Sequence, residues 1–237
     1  FTVGIITQPD WKKDDDFLKL GKPKLFFGVS SGNLDSMVAN YTADKKVRRT
    51  DMYTPDNEAG HRPDRATIVY TNKLKQLFPD VPVVLGGVEA SLRRFAHYDF
   101  WEDTVRRPLI FDAKADFLTY GMSEKGILGL AKALNDFWKP ANELRGFQKR
   151  EETETFSLRF PMPNTAIIEK EISKYPEALI LPSYEEVAAD KKKYAEAFKL
   201  FYLEGRKRHP RTIIQPCQGR YLVVFPPENL PQKEFEG

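Results

Sequence analysis

The sequence predicts an α/β protein: a mostly parallel, doubly wound, Rossmann-like sheet, then a proline-rich connector and a C-terminal helix with a β-hairpin. Three observations predict it. Short apolar runs alternate with longer helix-periodic segments over the first 135 residues, as in a sheet with crossover helices. The runs at 24–29, 82–85 and 116–120 are almost continuously apolar, as central strands covered on both faces require. Each of these runs ends in a glycine-containing turn: Ser30-Ser31-Gly32, Gly86-Gly87 and Tyr120-Gly121.

In chain order, Thr2–Thr7 reads as a strand entered midway; it has neither an initiator Met nor the profile of a signal peptide, so the chain reads as a fragment of something longer. A polar helix over Asp14–Leu20 is stopped by Gly21 and Pro23. After the strand Lys24–Val29, Asn33 or Asp35 caps a helix through Asn40 that places Leu34, Met37 and Val38 on one face. Residues 41–65 have no period and are rich in charge, a loop long enough to be functional or disordered. The helix Arg65–Phe78 buries Ile68, Val69 and Leu74 by spacing, and Pro79–Pro82 turns into the strand Val83–Leu85. Asp116–Tyr120 is the next strand, and a helix runs from Ser123 to Leu134.

Residues 1–135 thus form one Rossmann-like domain. Residues 136–182 carry five prolines and weak strand runs at Glu154–Phe160 and Thr165–Ile168, a connector or small β addition. The final segment, 183–237, opens on the capping box Ser183-Tyr-Glu-Glu186, which starts a helix to Glu204. The strands Arg211–Gln215 and Arg220–Phe225 then form a hairpin through Gln218-Gly219, and the polar tail leads to a further domain.

Composition narrows the classes. With 41% apolar and 30% charged residues and a negative mean hydropathy, the chain reads as a soluble globular protein. No apolar run approaches the ~20 residues of a membrane helix. A net charge of +3 from 37 basic and 34 acidic residues does not by itself imply a polyanion partner. Cys217 is the only cysteine, which excludes a disulfide framework and favours a reducing, cytoplasmic compartment. It reads as a buried, inert thiol, and His61, His97 and His209 make no metal-ligand spacing.

The most unusual stretch is Val84–Pro108, VLGGVEASLRRFAHYDFWEDTVRRP. Glu89, Arg93, Arg94, His97, Tyr98, Asp99, Trp101, Arg106 and Arg107 crowd together there, and three readings stay open. The guanidinium forks suit a carboxylate or phosphate ligand, with Tyr98 and Trp101 stacking on a base. The same residue types suit an interdomain surface. Alternatively, Asp99 or Asp103 pairs with Arg106 or Arg107 at helical spacing and holds a helix in place. The candidate ligand or interface residues are therefore these nine with Ser31, Gly32, Gly86, Gly87, Gly121 and Glu124; no catalytic or metal-binding residue stands out.

Together with NLDSMVANYTADKKVRR at 33–49 and YTPDNEAGHRPDRATIVYT at 53–71, this stretch resembles the N-terminal region of the YgiQ-type radical SAM family, densely over 3–134 and more loosely over 179–227. The resemblance implies a four-iron four-sulfur cluster and S-adenosylmethionine in a following barrel, bound through a CxxxCxxC motif that this chain lacks. It implies that this part caps the active site or helps select the substrate, with the downstream core as its partner. A second resemblance, to cobalamin-binding-like domains, rests on VVLGG at 83–87 and on Gly121, Glu124 and Ile127. The DxHxxG motif that ligates cobalamin is absent, so the fold is implied without the cofactor. Two alternatives from the residues themselves are a stand-alone domain binding a phosphate or nucleotide at Gly86-Gly87, and an RNA-contacting module using Arg93, Arg94, Arg106 and Arg107 with Tyr98 and Trp101.

Overall fold

The computed structural model describes residues 1–138 and 162–228; the run expected as a strand at 154–160 lies outside them. The described strands are β1 (Phe27–Val29), β2 (Val83–Leu85), β3 (His97–Asp99), β4 (Thr104–Arg106), β5 (Phe117–Thr119), β6 (Thr165–Glu169), β7 (Leu179–Ile180), β8 (Ile213–Cys217) and β9 (Arg220–Val224). The described helices are α1 (Asp15–Leu18), α2 (Ser36–Asn40), α3 (Ala66–Leu77), α4 (Gly87–Leu92), α5 (Leu109–Ala113), α6 (Glu124–Trp138), α7 (Tyr184–Ala189) and α8 (Lys191–Gly205).

Seven strands make one sheet in the order β1-β2-β5-β6-β9-β8-β7, and β3 pairs with β4 apart from it. β1, β2 and β5 are parallel neighbours, with Phe27 opposite Val83 and Val84 opposite Phe117, and β7 is parallel to β8. β6 runs antiparallel to both β5 and β9, and β8 and β9 form the antiparallel hairpin read from the sequence. The α/β class stands, and its parallel run β1-β2-β5 is the side that carries the glycine turns, with the β7–β8 pair parallel at the other edge.

Strand alternation divides the core. Val83 and Leu85 point to one face, with Leu118, Leu222 and Val224, against α3 and the Leu109, Ile110 and Phe111 side chains of α5. Val84 points to the other, with Phe117, Ile167 and Val223, against Leu130 and Leu134 of α6. This is the period-2 geometry of a strand with helices on both faces.

Several expectations change. Thr2–Thr7 is irregular, with Val3 and Ile5 exposed and unpacked, so its apolar content does not make a strand. β1 is the sheet's edge and not a central strand; its Gly28 is exposed. α3 buries Ala66, Thr67, Tyr70, Thr71 and Leu74, while Ile68 and Val69 are half-buried, because tertiary bonds at its first turn set its rotation. The single helix expected from 183 is two. Asp190, extended at φ −135°, ends α7 and caps α8 by accepting from the Lys192 amide at 2.7 Å. The Ser183–Glu186 capping box forms as read.

Gly126 lets the first turn of α6 lie against the chain entering β6: a Cβ there would stand 2.6 Å from the Pro163 carbonyl oxygen. Helix propensity alone predicts that Gly126→Ala gains up to about 1 kcal/mol. The backbone contact reverses the sign, and a loss of about 1–3 kcal/mol is expected from overpacking. Denaturant melts of the variant check this.

Candidate functional site

The carboxyl ends of β1, β2 and β5 bring the three glycine turns together. The Gly86 amide bonds to the Val29 carbonyl at 2.8 Å, and the Gly121 amide donates to Ser91 Oγ of α4 at 3.1 Å. Gly87 sits at φ +80°, with the Ser30 hydroxyl where a Cβ would fall, so both its conformation and its neighbour demand glycine. In an open sheet this edge is where ligands and catalytic loops collect.

Glu89 is fully buried directly beneath these turns. One carboxylate oxygen accepts from the Ser36 amide at 3.0 Å and the Ser36 hydroxyl at 2.6 Å; the other accepts from the Thr67 amide at 3.2 Å. Ser36 Oγ in turn accepts from the Ala66 amide at 3.0 Å. Glu89 therefore occupies the otherwise unpaired N–H groups that open α2 and α3. Asp35 caps α2 and is paired with Arg93. Arg62, itself buried, donates to the Ser31 carbonyl at 2.6 Å and to buried Asp51 at 3.3 Å, and its Nη1 lies close against Gly32.

Residues 97–106 form the β3–β4 hairpin, with His97 opposite Arg106 and Asp99 opposite Thr104, so the expected Asp99–Arg106 pair, at 3.7 Å, ties two strands together and not a helix. The turn passes through Asp103 at φ +52°. Arg65 bridges Asp99 and Glu102 at 2.8 Å each, Arg106 reaches Asp112 at 3.0 Å, and Arg107 reaches Asp112 at 2.8 Å. Burial works to raise the Asp99 carboxyl, but the Arg65 bond and charge outweigh it and hold it below the usual value. Trp101 lies on Tyr41 at 4.1 Å between ring centroids, with Lys45 over the indole at 5.5 Å. The Tyr98 hydroxyl donates to Asp103 at 2.6 Å. Glu124 opens α6 and is exposed.

The structure thus gathers Ser31, Gly32, Gly86, Gly87, Glu89, Arg93 and Gly121 at one edge. It groups Tyr98, Asp99, Trp101, Arg106 and Arg107 on the hairpin. Arg94 and His97 face a separate small cavity beside α8. Sequence reading missed Arg62, Asp51, Arg65 and Asp112. The first three lie in the aperiodic loop 41–65, whose length was their signal; Asp112 sits five and six residues after the Arg pair it binds. A cleft of about 380 Å³ lies at that loop, lined by Tyr41, Arg48, Arg62 and Asp64, but Asp64 is already held by Asn40 at 2.8 Å and Tyr41 at 2.6 Å.

Glu89→Ala leaves the buried amides of Ser36 and Thr67 without acceptors, so a loss of about 3 kcal/mol in chemical denaturation is expected. For His97, burial pushes the imidazole down to about 4, so the fold holds it neutral. The unfolded chain takes up that proton below about pH 6.5. His97 therefore costs no stability above that pH and drains it as pH falls toward 4. Glu204, held down to about 2 chiefly by its bond from Arg211, acts only below its ordinary value of 4.5, a separate window. Melting temperature between pH 7 and 4.5 is expected to fall less in His97→Gln than in the unaltered chain.

The sequence matches the family described as radical SAM N-terminal over residues 1–236. It is 49% identical to a UPF0313 protein of Thermotoga maritima, over all of this chain and 39% of that protein. It is 48% identical to a UPF0313 protein of Clostridium perfringens, over 96% of this chain and 32% of that protein, and 47% identical to one of Clostridium botulinum, over 100% and 34%. The chain spans about a third of the length of these relatives. No solved structure matches it significantly. With an edge of strand-end glycine turns anchored on Glu89, the chain belongs to the radical SAM N-terminal family.

Proposed function

We propose that this chain is the accessory N-terminal part of a larger, cytoplasmic radical SAM protein, closing over an active site built by the rest of the polypeptide and helping to select its substrate. The observation that carries this reading is a family match along the whole chain to proteins about three times as long. The chain's own residues do not fit a four-iron four-sulfur cluster. Cys217 is its one cysteine, buried at the end of β8, with burial pushing the thiol up to about 11. A cluster needs several thiolates. In this reading the cluster and S-adenosylmethionine belong to the remainder of the protein, which supplies the radical chemistry.

The course of the last strand supports docking at the glycine edge. β9 runs in the same direction as β5, and the Tyr120 hydroxyl donates to the Phe225 carbonyl at 2.5 Å, so the chain leaves β9 beside Gly121. Around that point Val88, Leu92 and Met122 are exposed, apolar side chains of the kind an interface covers.

The test uses the full-length protein, reconstituted anaerobically. Cys217→Ala is expected to keep its full iron content. Leu92→Glu combined with Met122→Glu is expected to keep iron content and melting temperature while slowing S-adenosylmethionine cleavage at least tenfold. Loss of iron in the first variant, or unchanged cleavage in the second, overturns the reading.

A further inference from the structure

Arg94 differs from the arginines around it. Arg65, Arg93, Arg106 and Arg107 all meet carboxylates. Among the described residues no carboxylate pairs with Arg94. Its Nη1 donates to the Ser91 carbonyl at 2.5 Å, and its Nε is buried without a partner. The guanidinium lies among the rings of Tyr120 at 4.7 Å, Phe95 at 5.2 Å and Phe201 at 5.2 Å. Ring faces compensate a cation only in part. Burial lowers its proton affinity, but a guanidinium stays charged at neutral pH.

Beside Arg94 is a cavity of about 220 Å³. Its walls are largely apolar, with Leu181, Val187 and Phe198 among them, and among the described residues no Asp or Glu lines it. Its polar groups are few. Gln215 is fixed in place, accepting from the Ala96 amide at 2.8 Å and donating one amide proton to the Pro182 carbonyl at 3.2 Å. His97 is neutral, with Nδ1 against the Phe95 carbonyl at 3.1 Å. The Tyr194 hydroxyl accepts from the Tyr98 amide at 3.1 Å, which leaves its own proton to donate. The cavity therefore offers one cation without a paired carboxylate, the Tyr194 hydroxyl donor and the remaining amide proton of Gln215, and an apolar body.

We propose that this cavity binds a small organic monocarboxylate, its carboxylate on Arg94 and Tyr194 and a short aliphatic or aromatic body against Leu181, Val187 and Phe198. A half-buried cation whose Nε is shut off from solvent without a counter-charge carries a desolvation cost, and an entering anion recovers part of it. The carboxylate is also the planar group a guanidinium fork matches. The volume is below the ~300 Å³ at which pockets for drug-sized ligands begin, which excludes a nucleotide. Leu92 borders both this cavity and the surface assigned to docking, but the test here reads neither iron nor cleavage of S-adenosylmethionine, so the two readings fail separately.

The test is calorimetric titration of the full-length protein with benzoate and isovalerate, against benzamide and isovaleramide as neutral counterparts. At least one carboxylate is expected to bind at millimolar concentration or below, its amide at least tenfold more weakly. Arg94→Met is expected to weaken carboxylate binding at least tenfold. Ala197→Phe, which fills the cavity and keeps the cation, is expected to abolish it. If Arg94→Met does not fold, the carboxylate–amide comparison on the unaltered protein decides. Absence of binding by both carboxylates, equal binding of the amides, or undiminished binding by a folded Arg94→Met protein overturns the proposal.

Discussion

The buried carboxylate of Glu89 is the constraint on which the glycine edge depends. One side chain accepts from the first turns of both α2 and α3 while standing in the first turn of α4, so three helix starts share one anion. Those turns present partial positive charge, which is why a carboxylate is held there without a cation of its own. The long loop 41–65 leaves from α2 and returns into α3, so both its ends are tied to the same group. Arg62 adds a third tie, to the Ser31 carbonyl. Removal of the carboxylate frees not one contact but the mutual placement of the elements that shape the edge.

How much could be read from the sequence depends on the property each signal measures. The β2 and β5 strands are short, wholly apolar and covered on both faces, so their composition states their environment. The Gln218-Gly219 turn was legible because it needs two positive φ angles, and those two residues adopt them at +51° and +72°. β1 misled because Phe26 and Phe27 are apolar enough for a centre although the strand lies at the edge. The rotation of α3 was hidden because its inward face is chosen by Glu89 and Ser36, bonds made over sequence separations of 22 and 30 residues. Asp190 was hidden for the opposite reason: one acidic residue inside a helix-periodic stretch reads as solvent-facing unless its capping role is considered.

The arginines in and around the charged segment 89–107 are of two kinds. Arg65, Arg106 and Arg107 spread their charge over Asp99, Glu102 and Asp112, and together they fasten a two-stranded hairpin whose Tyr98 and Phe100 side chains are exposed. Arg94 is held by aromatic faces. Sequence spacing cannot distinguish these, because Arg93 and Arg94 are adjacent and chemically identical. Only the direction each side chain takes just past the end of α4 separates an ion pair with Asp35 from a cage of rings.

The place of β6 in the sheet has a consequence for how the molecule is made. β1, β2 and β5 are complete by residue 119, yet β5 joins β7, β8 and β9 only through β6, which begins at residue 165. During synthesis the β5 edge therefore emerges with its amide and carbonyl groups open until some 46 further residues have been added. At roughly 5–20 residues per second that exposure lasts for seconds, long enough for an unpaired strand edge to recruit another nascent chain. The brevity of a three-residue strand makes that edge a poor template while it waits.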